Sequence, residues 1–503
     1  MKLKNKLLSA LIVAVMAAAV AFTVAGCDGF SFGGGNNTNY SASTTQKVAS
    51  MVDDTIAQYL AAGGYSSLDE LFADIEVPSY VKEDVTKAIK SLNASIIAAM
   101  KRAGITDAEA NKLLSLSYEL PFDPEELSDL DGDAVVGVLL DWALSVDPIT
   151  DLKNTGVSPQ KISKFVYAMA TETRKVLAGI SKDTYDALGI PRAEVLKQYD
   201  DLLGVATEAE FVKVFSAAIE SSYSSYYIAK SLFGPNGIVT LAEYTAVGYK
   251  YVEIPDPEFP FWPDYDYVPY EYTTFGPQIN EDLTLNEFRT LAKTNLNELK
   301  KASELYSDDV VNAGISIIKK VYRLSMPQEY FSTSIERNRA LNQINAMLDA
   351  SAALTKAGRK ITSAVLNAAA NDNNLLEVFY KIYQRVADGE LSSADSVILQ
   401  TVKPDFVIGG MKLLAVAQDT AGGNLNNVRD LLANLYTATE DTSTAREIKA
   451  YDFGIYKAEI NSYKSTAYGS KKTFGEDTLA SDLGMLFDEM FSYNEYPYDD
   501  WDW

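Results

Sequence analysis

The chain has 503 residues, and its 69 acidic residues outnumber its 44 basic residues, which gives a net charge of −25 at pH 7. A surface this acidic repels nucleic acids, so neither DNA nor RNA is expected as a partner. Histidine is absent and there is one cysteine, which excludes Ser-His-Asp triads, Cys-His dyads and HExxH metal sites.

The first 26 residues have the order of a bacterial secretory signal. MKLKNK supplies three lysines, an apolar run follows, and the run ends in VAGC at residues 24–27. The small residues directly before Cys27 resemble the lipobox of bacterial lipoproteins. This resemblance implies that Cys27 becomes the first residue of the mature chain and carries acyl groups such as palmitate. We therefore expect a signal peptide at 1–26 and an extracytoplasmic protein anchored to the membrane by lipid, in a leaflet that the sequence does not specify.

Residues 27–50 are rich in glycine, serine, threonine and asparagine, and this composition predicts a flexible tether. Apolar residues then recur at helical spacing through two regions, 51–235 and 284–475. The sequence predicts an all-α fold, either a multi-helix bundle or an irregular helical array, in two helical halves.

Several helix starts are predicted individually. Thr106 and Thr207 each precede a glutamate by three residues, Glu109 and Glu210, and these pairs are typical of capping boxes. Ser158 precedes a proline and is interpreted as an N-cap. Ser158-Pro-Gln-Lys also matches the Ser-x-x-Lys pattern of penicillin-binding proteins, but the companion motifs of that pattern are missing.

Asp129, Asp131 and Asp133 alternate as they do at the start of an EF-hand calcium loop. Ala134 and Leu140 occupy the positions where that loop requires glycine and glutamate. The sequence favours an acidic helix N-terminus, with a Ca²⁺ site as the weaker alternative. No other metal and no cofactor is expected.

The segment 236–283 contains PDPEFPFWPDYDYVPYEY, in which prolines interrupt the helical pattern. It is predicted to be a long proline- and aromatic-rich loop between the two helical halves. Three interpretations stay open: a buried strap, a platform for a glycan or a cationic peptide, and a disordered spacer. The candidate ligand-binding residues of the platform are Trp262, Asp264, Tyr265, Asp266, Tyr267, Tyr270 and Tyr272.

Residues 476–503 are predicted to form an acidic aromatic tail of similar composition. Trp501 and Trp503 are expected either to dock onto the body of the protein or to bind a partner. Their likeness to the central segment suggests that Trp262 and Trp501 share one surface.

The expected role is non-enzymatic. The protein is predicted to bind a glycan or peptide ligand, or to scaffold a surface complex with other envelope proteins. One alternative is a helical glycoside hydrolase using a carboxylate pair that the sequence does not identify, and another is a purely structural envelope protein. No catalytic residue is predicted.

Overall fold

The computed structural model describes residues 40–62, 64–74, 77–116, 143–234, 236–254, 264–386, 392–470 and 474–491. These residues are predominantly helical, which confirms the predicted all-α class. One two-stranded antiparallel hairpin is inserted among the helices.

Up to residue 233 the elements of the described ranges are all helices. They are α1 (Ala42–Ala62), α2 (Leu68–Asp74), α3 (Ser79–Ala103), α4 (Asp107–Leu113), α5 (Pro148–Asn154), α6 (Pro159–Gly179), α7 (Lys182–Leu188), α8 (Arg192–Gly204) and α9 (Glu208–Phe233).

The hairpin consists of β1 (Val239–Ile254) and β2 (Asp264–Ile279), and helices follow it again. They are α10 (Leu285–Leu305), α11 (Asp308–Ser325), α12 (Ser334–Asn371), α13 (Asn373–Val386), α14 (Ser393–Thr420), α15 (Asn426–Ala438), α16 (Thr442–Ala450), α17 (Lys457–Tyr463) and α18 (Leu479–Phe491), with short 3₁₀ turns at Gln328–Tyr330 and Phe453–Tyr456.

The predicted helix starts are confirmed. Glu109 N donates to Thr106 Oγ1 at 3.3 Å, and Thr106 N donates back to Glu109 Oε2 at 2.8 Å. The box at Thr207 is equally reciprocal. Ser158 is the N-cap of α6 and accepts from the Lys161 amide, so its hydroxyl has a structural partner. These caps satisfy amide groups that have no partner within the helix.

Each half of the chain has its own apolar core. In the N-terminal half, Met100 and Phe165 are almost completely buried between α3 and α6. In the C-terminal half, Ile408 and Met411 of α14 are buried against α17. Helix α9 connects the halves, because it packs on α6 on one side and on α10 and α11 on the other.

The predicted tether is too long at its C-terminal end. Residues 42–50 form the first turns of α1, and Val48 is fully buried in the core. Tyr40 is buried as well, and its hydroxyl donates to the Ile105 carbonyl at 2.5 Å. The serine- and threonine-rich composition that suggested flexibility lies on a helix whose valines fill the core.

The predicted tail also begins too early. Leu479–Phe491 is helix α18, and Phe487 is fully buried against Phe406 and Phe491. Residues 492–503, with Trp501 and Trp503, lie outside the described residues. The suggestion that they share a surface with Trp262 therefore stays a prediction.

The predicted loop at 236–283 is wrong for most of its length, since β1 and β2 occupy 32 of its residues. Proline cannot supply the N–H donor that a central strand needs at every position. In a two-stranded hairpin both strands are edges, and Pro269 and Pro277 of β2 are compatible with that position. The connection at 255–263, which includes Trp262, lies outside the described residues.

Candidate functional site

The hairpin is a long arm. Its register runs from Val239 opposite Ile279 to Ile254 opposite Asp264, without interruption. Sixteen residues in each strand correspond to a length of about 50 Å. Within the described chain each strand pairs only with the other, so the outer edge of each strand has no strand beside it. We refer to β1 and β2 together as the arm.

The residue types of the arm explain why it is extended. β1 reads VTLAEYTAVGYKYVEI and β2 reads DYDYVPYEYTTFGPQI, so β-branched and aromatic residues dominate both strands. Such side chains fit a pleated surface better than a helix. The aromatic richness that suggested a binding platform is therefore also a strand signal.

The register places the predicted ligand-binding residues on two different faces. Directly opposed residues share a face of a hairpin, and successive residues alternate between faces. Tyr267 is opposite Tyr251, and Tyr265 is opposite Glu253, on one face. This face has four tyrosine positions near the distal end of the arm. They are Tyr249, Tyr251, Tyr265 and Tyr267.

The other predicted residues that lie within the described strands have positions on the opposite face. Their strand partners are small or apolar: Asp264 is opposite Ile254, Asp266 is opposite Val252, Tyr270 is opposite Gly248, and Tyr272 is opposite Ala246. The register therefore divides these positions between the two faces of the hairpin. Their role in ligand binding stays a prediction.

The root of the arm is fixed by hydrogen bonds that close the hairpin. Asn280 N donates to the Ile238 carbonyl at 3.1 Å, and its side chain donates to the Gly237 carbonyl at 3.1 Å. The hydroxyl of Tyr383, in α13, donates to the Asn280 carbonyl. Tyr380, one turn earlier, donates to the Leu283 carbonyl at 2.9 Å.

Packing keeps the Tyr383 hydroxyl in its donor form. The Tyr383 ring packs on Phe288, with centroids 5.1 Å apart, in a small apolar cluster. Burial, with smaller contributions from the charges of Tyr380 and Glu281, raises the pKa of Tyr383 to about 12. Sequence reasoning missed this root, because Tyr383 is 103 residues from the carbonyl that it binds and no local pattern marks it.

A groove runs along the N-terminal half of α9, at the end of that helix away from the arm. It is a cavity of about 650 Å³, with α6 on one side and α10 and α11 on the other. Its floor consists of small and apolar residues of α9, including Ala209, Val212 and Ala217. The volume suits a small ligand.

The carboxylates of this groove are poorly placed for glycoside hydrolysis. Glu208 and Glu220 line it, but twelve residues of helix separate them by about 18 Å along the axis. A catalytic carboxylate pair requires about 5–9.5 Å. Both groups also have protein partners: Arg102 Nη2 lies 2.5 Å from Glu208 Oε2, and Gln160 Nε2 donates to Glu220 Oε1 at 3.0 Å.

A smaller cavity of about 270 Å³ continues past Glu220 and is lined by Lys153, Tyr223 and Lys301 among others. The Lys153 ammonium lies 5.2 Å from the centre of the Tyr223 ring. The Tyr223 hydroxyl is buried and has no hydrogen-bond partner among the described residues. Burial, followed by the charges of Glu220 and Tyr227, raises the pKa of Tyr223 to about 12.

The remaining sequence predictions concern parts that the structure does not describe. Cys27 and the predicted calcium ligands Asp129, Asp131 and Asp133 lie outside the described residues. Within the described ranges no three acidic side chains converge as metal ligands. No helix of the described chain has both the length and the apolar character needed to cross a bilayer.

Comparisons with protein-family models, with curated proteins and with solved structures give no match for this chain.

Proposed function

We propose that the protein is a lipid-anchored, extracytoplasmic scaffold that binds another envelope protein through the arm. The observation that carries the proposal is the arm itself, about 50 Å of antiparallel ladder whose outer edges are unpaired in the described chain. A two-stranded hairpin is marginally stable in water when nothing packs on it. Unpaired strand edges bind additional strands through main-chain hydrogen bonds.

The edge of β1 suits strand addition better than the edge of β2. β2 contains Pro269 and Pro277, and proline interrupts a row of N–H donors. β1 contains no proline. We therefore assign the partner's strand to the outer edge of β1.

Charge indicates what kind of strand the partner supplies. The two strands contain one basic residue, Lys250, against five acidic ones, a net charge of −4. The acidic residues are Glu243, Glu253, Asp264, Asp266 and Glu271. Like charges oppose pairing between two copies of the arm, whereas a basic segment of a different protein is attracted.

Membrane attachment through Cys27 is part of the same proposal. Its support is the signal-like sequence before the cysteine, and acylation at this position would hold the scaffold at the cell surface.

Replacement of the arm tests the proposal without disturbing the helices. Because Asn280 N and Ile238 O are already hydrogen-bonded, an Asn-Gly turn can join Ile238 to Asn280 in place of residues 239–279. We expect the replaced protein to keep its helical circular dichroism and its thermal midpoint. We expect it to migrate as a monomer in native gels of detergent-solubilised envelopes, where the unaltered protein migrates in a larger complex.

A matched variant tests the role of β1. Each proline variant removes one N–H from β1 while the arm keeps its length. Thr245→Pro and Val247→Pro remove amides on one edge of the strand, and Ala246→Pro removes an amide on the other. The variants that remove an outward-facing amide are expected to weaken the complex. An unaltered protein that migrates as a monomer, or a complex that persists without the arm, contradicts the proposal.

A further inference from the structure

A second exposed feature lies where α11 ends and α12 begins. We refer to residues 318–339 as the tip. Large apolar side chains are exposed there, and Tyr330 and Ile335 reach 72% and 78% exposure. The other exposed apolar side chains of the tip are Ile318, Val321, Tyr322 and Leu324. A concentration of this kind on a protein surface usually marks an interaction site.

The tip is basic in an acidic protein. It contains five basic residues, Lys319, Lys320, Arg323, Arg337 and Arg339, against two acidic ones, a net of +3, while the whole chain has a net charge of −25. Lys319 and Lys320 bind Asp349 and Glu210 at 2.6 and 2.9 Å. Arg323 and Arg339 are exposed.

The exposed apolar side chains of the tip lie on and beside the connection between α11 and α12, which is held by hydrogen bonds. Arg337 Nε donates to the Met326 carbonyl at 2.7 Å, and its Nη2 donates to the Arg323 carbonyl at 3.1 Å, so the guanidinium caps the end of α11. Thr333 caps α12 by accepting from the Glu336 amide at 3.2 Å. Tyr330 and Ile335 are therefore held outward by fixed backbone.

The tip lies at the same end of the molecule as the start of the described chain. Glu210 of α9 binds Ser316 at 2.8 Å as well as Lys320, which places α11 against the beginning of α9. Glu208, two residues earlier, binds Arg102 at the end of α3. The next residues, Ile105 and Asp107, bind the chain start, because Asp107 Oδ1 accepts from the Ser41 amide at 2.8 Å.

The proposed anchor is within reach of this end. Cys27 precedes Tyr40 by 13 residues, which span at most about 45 Å when fully extended. Lipid at Cys27 would thus keep the tip end of the protein near the bilayer.

We propose that the tip is a second membrane contact, which docks on bilayers containing anionic phospholipid. Tyrosine and aliphatic side chains insert at the headgroup boundary, and exposed arginines bind lipid phosphates. The acidic remainder of the protein is repelled by the same headgroups, so the protein approaches the membrane in one orientation. The choice of a membrane as occupant rests on the proposed anchor at Cys27, while the exposed apolar and basic residues do not depend on it.

Vesicle sedimentation tests the tip without the anchor. The mature chain 27–503 carrying Cys27→Ser is mixed with vesicles of phosphatidylcholine alone, or of phosphatidylcholine with phosphatidylglycerol. We expect it to bind the anionic vesicles at least tenfold better than the neutral ones. Binding should fall at least tenfold when salt is raised to about 0.5 M, because the Debye length shortens.

Two variants and one control assign the binding to the tip. Tyr330→Ser with Ile335→Ser, and separately Arg323→Gln with Arg339→Gln, are each expected to weaken binding about tenfold. Val397→Ser is the matched control, because Val397 is 69% exposed but lies in α14, away from the tip. All the substituted residues are exposed, so circular dichroism is expected to stay unchanged.

The outcomes separate this proposal from the proposed scaffold. Absence of binding to anionic vesicles, or equal binding by the tip variants and Val397→Ser, overturns the membrane contact. Palmitate labelling of the full-length protein, lost in Cys27→Ser, tests the anchor independently. Loss of the complex on arm replacement depends on neither result.

Discussion

Glu210 connects two helices as well as capping one. Its carboxylate accepts from the Thr207 amide at 2.9 Å, from Lys320 at 2.9 Å and from Ser316 at 2.8 Å. Hydrogen bonds lower the pKa of Glu210 from 4.5 to about 2. The bond from the Thr207 amide is the largest cause, and those from Lys320 and Ser316 follow. One side chain thus joins the start of α9 to α11, and with it the two halves of the chain.

The lowered pKa gives a pH-dependent stability with a defined sign. The folded protein favours the ionised carboxylate, so its contribution is complete above pH 4.5 and is lost as pH falls from 4.5 towards 2. Glu210→Gln keeps a capping amide but removes the charge. We expect it to lower the free energy of unfolding by about 1 kcal/mol at pH 7, and by progressively less below pH 4.5.

Urea unfolding across this pH range measures the effect. Glu336→Gln, at an exposed position in the first turn of α12, is the control and is expected to change stability little. A difference between Glu210→Gln and the unaltered protein that is the same at every pH would show that the charge does not act as described.

At the residue level, contacts between residues that are close in the sequence could be predicted, and contacts between distant residues could not. Thr106, Thr207 and Ser158 were identified as caps because their partners are three residues away. Tyr383 and Glu210 bind groups that are about a hundred residues away, and nothing in a single sequence pairs them. Glu210 was predicted as half of a capping box, but its bond to Lys320 was not.

At the level of elements, α18 shows how composition misled the prediction. Its segment was assigned to an acidic tail because carboxylates and aromatics dominate the end of the chain. Its apolar residues nevertheless recur at helical spacing, and Phe487 is fully buried among Val378, Leu399 and Val402. The ring also packs on Phe406 at 5.0 Å between centroids.

Phe487→Ala is therefore expected to lower the free energy of unfolding by about 3–5 kcal/mol, through lost burial and the cavity left behind. Thermal and urea unfolding both measure it. Met485→Ala, on the same helix but 55% exposed, is the matched control and should be nearly neutral. If Phe487→Ala were as mild as Met485→Ala, α18 would not be part of the core.

The arm is a second element whose type was not predicted from its composition. Prolines correctly excluded a helix from the described part of 236–283, but they do not exclude a strand at the edge of a sheet. The distinction depends on the number of neighbouring strands, since proline is excluded from a central strand and tolerated at an edge. A sequence does not reveal how many strands lie beside a given one.

At the scale of the molecule, α9 separates two unlike ends. Its N-terminal end contacts α11 near the tip, and its C-terminal end leads into the arm. Twenty-six residues of helix span about 39 Å. The two-halves organisation was predicted, but this arrangement of basic tip and acidic arm at opposite ends was not.

The arrangement predicts different accessibility on a membrane. Because Cys27 is the only cysteine, single cysteines can be placed in a Cys27→Ser background at Glu329 in the tip or at Val268 in the arm. Binding to anionic vesicles is expected to slow maleimide labelling of Glu329→Cys several-fold and to leave Val268→Cys unchanged. Equal protection of both positions would indicate that the protein lies flat on the bilayer.

The length of α9 also bears on the distance between the membrane and the arm. With the tip on the bilayer, about 39 Å of α9 lies between the tip end and the root of the arm, and the arm itself is about 50 Å long. A partner anchored in the same membrane would then have to extend that far from the bilayer to reach the arm, whereas a partner in a second layer parallel to the membrane could contact the arm directly.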